Sequence, residues 1–248
     1  MAAGSVSVLE ASKRFVSAAD GVLTRHCFSF GEHYDPANTS YGPLVAFNDT
    51  VLQPGAGFAT HRHAGVEIVT WVIEGMLHHE DSTGHHGDIL PGVVQRLSAG
   101  SGVVHTETSA PEPAAASGSS DTRFLQMWLK PDEPGGAPGY AQAAVDPATL
   151  ESGLVVVASG RPHERRAPVV HIGCSGAALH FGRLRRGQSV ELPWAALVFV
   201  YVALGAVAMG SERPFGAGDS ARLTGISGAG IRALEPAEVL VWEMDSAG

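Results

Sequence analysis

Cysteine is almost missing from this chain: Cys27 and Cys174 are the only two in 248 residues. They lie far apart and form no C-x-x-C spacing. A disulfide framework is therefore excluded, and buried free thiols are the expectation. Charge is sparse as well, at 17% Asp, Glu, Lys and Arg, and the 16 basic residues are scattered rather than striped. A nucleic-acid footprint needs a clustered basic surface, so direct nucleic-acid binding is not expected. The formal charge of −9 reads as a solubility feature. No long hydrophobic run is present. The most apolar segment, 195–209, contains Gly205 and falls short of the roughly 20 residues that span a bilayer. The first residues lack a basic segment followed by an apolar core, so no secretory signal is expected. A cytoplasmic protein with no membrane contact follows. Helical periodicity is scarce too, with 141–150 the best short candidate and Asp146-Pro147 as its start.

Gly (31) and Pro (15) are abundant, and 44% of the residues are hydrophobic, enough for a sizeable core. This combination suits many short strands joined by turns, in one large or two modest domains. Strand signals recur at 44–48, 67–73, 93–98 and 123–129, each bounded by Gly, Pro or Asp. The run from Glu67 to Ile73 is apolar on both parities over much of its length, as expected of a strand covered on two sides. Glu74-Gly75 and Asp81-Ser82-Thr83-Gly84 read as turns. The small-residue stretch 110–121 reads as a mobile surface loop and 131–139 as a linker, which places a domain boundary near 140–150. The second half faintly repeats the first. Gly55 precedes His61 by six positions as Gly187 precedes Pro193, and 66–75 has a counterpart in 197–205. Where the first half has His61 and His63, the second has Pro193 and Ala195. Two related barrels, one with ligands and one without, account for this pattern.

The chemistry-bearing residues come in two matched pairs, His61-Arg62-His63 and His105-Thr106-Glu107, each in a Gly-rich, strand-like stretch. Side chains at i and i+2 of a strand leave the same face. Two imidazoles so placed can converge on one ion at about 2.1 Å, and a second strand offering His105 and Glu107 would complete a three-His, one-carboxylate shell. That shell leaves open positions on an octahedral ion, the mark of a working metal. The donors suit Fe, Mn, Co, Ni, Cu or Zn, and the absence of thiolates expresses no preference for a soft ion. His78, His79, His85 and His86 lie on or beside a hairpin and read as surface or core histidines, with His79 the best of them for a supporting role. His163, His171 and His180 have no ligand spacing. Phe58 and Trp71 read as barrel core, and Glu191 and Glu212 as solvated acids.

These residues resemble a known family. Gly55, His61, His63 and Glu67, followed by Gly102 and His105, look like the two cupin motifs. The stretches 61–84 and 98–107 resemble the pirins, and Phe28-Ser29-Phe30, Tyr34-Asp35-Pro36 and Phe47-Asn48-Asp49 resemble their bacterial branch. The likeness covers residues 8–131 and continues weakly beyond. Arg62 departs from it, since many pirins have Pro there; on a strand it would point away from both histidines.

The resemblance implies an all-β bicupin: two face-to-face β-sandwich barrels of jelly-roll type. A metal-binding barrel would occupy 1–140, and a degenerate barrel without ligands 141–248. It implies one mononuclear divalent metal, iron above the others, on His61, His63, His105 and Glu107, with Glu67 as the fallback carboxylate. It implies quercetin 2,3-dioxygenase activity, in which O2 opens a flavonol ring with release of carbon monoxide and Glu107 takes the hydroxyl proton. Other pirins resemble metal-responsive regulators of a transcription factor or metabolic enzyme, so a protein partner is the alternative expectation.

Overall fold

The computed structural model describes residues 4–110, 121–162, 170–210 and 214–246. The expected loop at 110–121, apart from its two end residues, lies outside them, as do His163 and Glu212.

The first half opens with β1 (Ser5–Leu9), β2 (Phe15–Ala19), β3 (Val22–His26) and β4 (Leu44–Leu52). It continues with β5 (Gly57–His63), β6 (Glu67–Glu74), β7 (Leu77–Asp81) and β8 (His86–Ile89). β9 (Val93–Ser98), β10 (Val103–Ser109), β11 (Thr122–Leu129) and β12 (Gly139–Ala144) complete it. After a single helical turn, α1 (Pro147–Glu151), come β13 (Val155–Ser159), β14 (Val170–His171), β15 (Ala177–Leu184) and β16 (Ser189–Glu191). β17 (Leu197–Leu204), β18 (Ala206–Met209) and β19 (Phe215–Gly216) follow, then β20 (Ser220–Thr224), β21 (Gly230–Ala233) and β22 (Ala237–Met244).

Among the described residues the strands form two seven-stranded and two four-stranded sheets. The large sheets run β12-β9-β6-β11-β4-β3-β2 and β1-β20-β17-β22-β15-β13-β14; the small ones run β5-β10-β7-β8 and β16-β21-β18-β19. The small sheets and the inner five strands of the large ones repeat in the same order; the edge strands differ, β1 standing where the first half has β12 and β14, parallel to β13, where it has β2. The fold is the expected all-β bicupin. The repeat extends to the turns: Gly75 and Gly205 end matching strands at φ 79° and 73°, a left-handed conformation that favours glycine.

β6 shows how the halves join. Val69 and Trp71 face a core shared by both large sheets, where Trp71 stacks on Phe181 with centroids 4.2 Å apart. Ile68 and Val72 face the opposite way, into the first barrel. β6 is thus covered on both faces, and Trp71 is a core residue between the halves. Within the same seam Asp49 accepts two hydrogen bonds from Arg123 and one of 2.6 Å from the Tyr201 hydroxyl of the second half.

Two details depart from the sequence reading. Residues 141–144 are not helical: Ala141 and Ala143 pack on the shared core, while Tyr140 packs on the barrel interior. This is the period of a strand, and only Pro147–Glu151 turns helical, capped by the Asp146 side chain on the Thr149 amide. Accordingly the 140/141 boundary falls inside β12, all six residues of which pair with β9 of the first half. At the other end of the chain, β1 crosses over to pair with β20 of the second.

Candidate metal centre

The small sheet of the first barrel carries the site. β10 lies between β5 and β7, with His105 opposite His61 on one side and Glu107 opposite His79 on the other. Alternation turns His105, Glu107 and Ser109 inward. Between the pairs His105–His61 and Glu107–Phe58, β5 holds one residue more than β10, a bulge that re-aims the flanking side chains. β5 passes very close to β10 here. A Cβ on Gly57 would lie 2.2 Å from the Glu107 carbonyl oxygen, so only glycine fits. Ala59, within the bulge, turns its carbonyl to the His61 ring, 2.7 Å from Nδ1.

Two overlapping groups of donors result: His61, His63 and His105, and His79, His105 and Glu107, each with its atoms within 4.8 Å of one another. The four expected ligands are thus near each other but split between two triads that share His105. Glu67 is in neither. It accepts a hydrogen bond from Ser98, and its other oxygen faces Gly173 of the second half. Arg62 points outward, donating to the Ser101 carbonyl at 2.9 Å. His78 pairs with Asp88 at the surface, His180 lies beside Glu243, and His171 and Glu191 are exposed.

Hydrogen bonds fix which ring nitrogens are bare. Burial pushes Asp81 up, but the Thr83 hydroxyl and amide, His79 and the His85 amide outweigh it and hold the carboxyl at about 2. An ionised Asp81 accepts from His79 Nε2 (3.3 Å), which leaves His79 Nδ1 bare. His105 Nδ1, 3.3 Å from that atom, must then be the donor, and its Nε2 is bare. His61 donates its Nδ1 proton to Ala59, so its Nε2 is bare too. These two nitrogens stand 2.9 Å apart. Between neutral rings a hydrogen bond here would break one of the two outer bonds, whereas a cation satisfies both lone pairs. Two ligands 2.1 Å from one ion at a right angle are about 3.0 Å apart, close to the observed spacing. The third nitrogen, His63 Nε2, is buried without a hydrogen-bond partner. Burial, and then the neighbouring histidines, lower His63 to about 4 and His105 to about 3, so both rings are neutral, as ligands must be. The residues fit a metal.

Glu107 is 1% exposed, and burial pushes its carboxyl up to about 7 against the opposing pull of Gln126. Gln126 Nε2 donates to both carboxylate oxygens, at 3.0 and 2.9 Å. The Trp128 indole donates to Gln126 Oε1 at 3.0 Å, which sets the amide the right way round. The Trp128 ring meets the edges of His63 (4.8 Å) and Phe30 (5.1 Å). On the far side Phe58 stands 6.1 Å from His61. Sequence reading gave Gln126 and Trp128 no role and His79 only a minor one. The alternation of 122–129 was the one signal that could have shown two polar-capable side chains facing inward.

The pirin family profile matches residues 8–129. A Mycobacterium tuberculosis protein named "Putative quercetin 2,3-dioxygenase" is 42% identical over 97% of this chain and 95% of its own length. This chain belongs to the pirin family. A "Quercetin 2,3-dioxygenase" of Escherichia coli is 37% identical over 49% of the chain and 50% of that protein. The crystal structure of an Escherichia coli bacterial pirin in complex with nickel(II) superposes with a TM-score of 0.85 at 26% identity, covering 98% of this chain and all of the other. Pirin folds of this kind carry the cupin barrel pair seen here. Among the described residues no helix is long and apolar enough to cross a membrane.

Proposed function

We infer that this pirin is a metal-dependent dioxygenase that opens the central ring of a flavonol such as quercetin, adding both atoms of O2 and releasing one carbon as carbon monoxide. The observation that carries the reading is Glu107: a fully buried carboxyl with its pKa raised to about 7, grouped with His79 and with His105, the ring it shares with the His61 and His63 donors. His61, His63 and His105, with Glu107, would hold one divalent transition metal, of which iron is our first choice. Bound there, the metal would supply a Lewis acid that acidifies a hydroxyl group and gathers substrate and O2.

The chain's own part is proton handling and placement. A base with a pKa near the working pH is matched to taking a flavonol hydroxyl proton and returning it to the ring-opened product. Gln126 holds the carboxylate in place through both oxygens while leaving each a free lone pair. Phe58 on one side and Trp128 with Phe30 on the other offer apolar ring faces and edges suited to a planar aromatic. The test is incubation of iron-loaded protein with a flavonol panel under air and under nitrogen, following absorbance and carbon monoxide. Flavonol loss should require O2 and release one carbon monoxide per flavonol. Absence of turnover with Fe, Mn, Co, Ni and Cu alike would transfer the argument to the regulatory, protein-binding reading.

A further inference from the structure

A row of polar side chains crosses the inner face of the first barrel's large sheet. Asn48 on β4 is paired with Gln126 on β11, Gln126 with Thr70 on β6, Thr70 with Gln95 on β9, and Gln95 with Gln142 on β12. Each step is one strand, about 4.8 Å. The row separates two apolar clusters inside the barrel, one around Val72 and Phe124 and one around Ile68 and Leu97. From the opposite sheet, His79 and Glu107 face it between the same two clusters.

Two members of the row are unpaid in hydrogen bonds. Thr70 and Gln95 are 0% and 1% exposed, and neither Thr70 Oγ1 nor Gln95 Nε2 has a partner. The Tyr140 hydroxyl donates to Gln142 Oε1 at 2.9 Å, and its oxygen lies close enough to draw on the Gln95 amide, so Thr70 Oγ1 is the more strictly unpartnered of the two groups. A buried polar group left unsatisfied costs roughly 1–3 kcal/mol, so such groups in native proteins have partners or a function.

The second barrel shows what this position holds when no site is present. Counting back from the matching turn glycines, Thr70 corresponds to Val200, which pairs with Val241 and Ala221 as Thr70 pairs with Gln126 and Gln95. All three belong to a wholly apolar core. Val-Val-Ala therefore fills the same row of the same architecture. The polar version accompanies the histidines, not the fold.

We propose that Thr70 and Gln95 form an internal water-binding site that positions Glu107: they donate hydrogen bonds to ordered water, which donates in turn to the carboxylate. Glu107 has lone pairs left after Gln126 has taken one on each oxygen. Thr70 stands one strand beyond Gln126, the residue that already bonds the carboxylate, and a bridging water can stand in for a direct hydrogen bond from it. The guest must accept from Thr70 and Gln95 and donate to the carboxylate, which a single water molecule does. The inference does not depend on flavonol turnover and is read in its absence.

The test uses Thr70→Val, which keeps the shape and removes the donor, Thr70→Ser, which restores it, and Gln95→Leu. Readouts are high-resolution crystal structures, thermal midpoints of the metal-free proteins, and Co(II) affinity with the visible spectrum of the Co(II) form. The proposal expects ordered water within hydrogen-bond distance of Thr70 Oγ1 and Gln95 Nε2 in the parent and its loss in Thr70→Val. It also expects a lower midpoint, Co(II) binding weakened about tenfold with a shifted spectrum, and near-parental behaviour in Thr70→Ser. A Thr70→Val protein that is more stable than the parent with an unchanged Co(II) spectrum would overturn it, because the hydroxyl would then face nothing. So would a parental crystal structure with direct protein partners on both groups. If Thr70→Val fails to fold, Gln95→Leu and the parental crystal structure decide alone.

Discussion

Replacing Asp49 with Asn should loosen the seam between the two barrels. Asp49 is an almost fully buried carboxylate held by a two-pronged Arg123 contact at 2.9 Å on each oxygen, by Arg14 at 3.6 Å and by the Tyr201 hydroxyl at 2.6 Å. Arg14 is 1% exposed in its side chain and Arg123 21%. The amide keeps the shape but cancels the charge and leaves one buried and one partly buried guanidinium group facing a neutral partner. Removing one member of a buried ion pair costs about 3–5 kcal/mol. For a chain of this size each kcal/mol lowers the melting midpoint by roughly 2–4 °C, so a fall of about 6–20 °C is expected. Tyr201→Phe, which removes one hydrogen bond to a charged acceptor, should cost about 1.5–3 kcal/mol and sit between the two. The pH dependence has a definite sign. Burial pushes the Asp49 carboxyl up, but Arg123, Tyr201 and Arg14 outweigh it and hold it below its ordinary value. Its contribution is then complete above the ordinary carboxylate pKa and is lost as the pH falls through the depressed one. Thermal denaturation from pH 7 down to pH 3 should show Asp49→Asn losing less on acidification than the parent. A variant that melts within about 2 °C of the parent at pH 7 would refute the seam argument, since a loss that small is less than 1 kcal/mol.

The other predictions concern the site. His79→Ala, by releasing the His105 ring, should weaken metal binding about 10–100-fold by isothermal titration, and Asp81→Asn should do so in the same direction. Gly57→Ala should distort β5 against β10 and lower metal content, because its Cβ would meet the Glu107 carbonyl at 2.2 Å; a fully loaded Ala variant would show that the approach can relax. Binding of Ni(II) or Cu(II) should quench tryptophan fluorescence through Trp128, 4.8 Å from the His63 ring, and Trp128→Phe should abolish most of that change.

Sequence alone exposed the parts of this molecule that obey a short period. His61 and His63, two apart on one strand, had to share a face, and the same holds for His105 and Glu107. The doubled barrel was visible in glycines such as Gly75 and Gly205, because a left-handed turn restricts the residue that can occupy it. What depends on cross-strand register was hidden. That Glu107 stands opposite His79, and that Gln126 reaches Glu107, follows from pairings among β7, β10, β6 and β11 that no local pattern encodes. The Ala59 carbonyl that fixes the His61 tautomer is placed by a bulge with no residue signature. The crossing of β1 to β20 is likewise a long-range pairing, as is the pairing with β9 that carries β12 of the first half past residue 140. For Glu67 the register matters again: its parity on β6 sends it toward the second half and away from the histidines.

The central claim is that Glu107 is the base of a flavonol-opening site. Its most direct test is the oxygen-dependent cleavage rate of Glu107→Gln, expressed per bound metal ion in samples whose metal is quantified. The glutamine keeps an oxygen donor of similar size and removes the base, and His61, His63 and His105 remain to retain most of the metal. General-base catalysis contributes about 10²–10⁴-fold, so the rate per ion should fall at least about a hundredfold. A Gln variant that cleaves quercetin at the parental rate per ion would contradict the account.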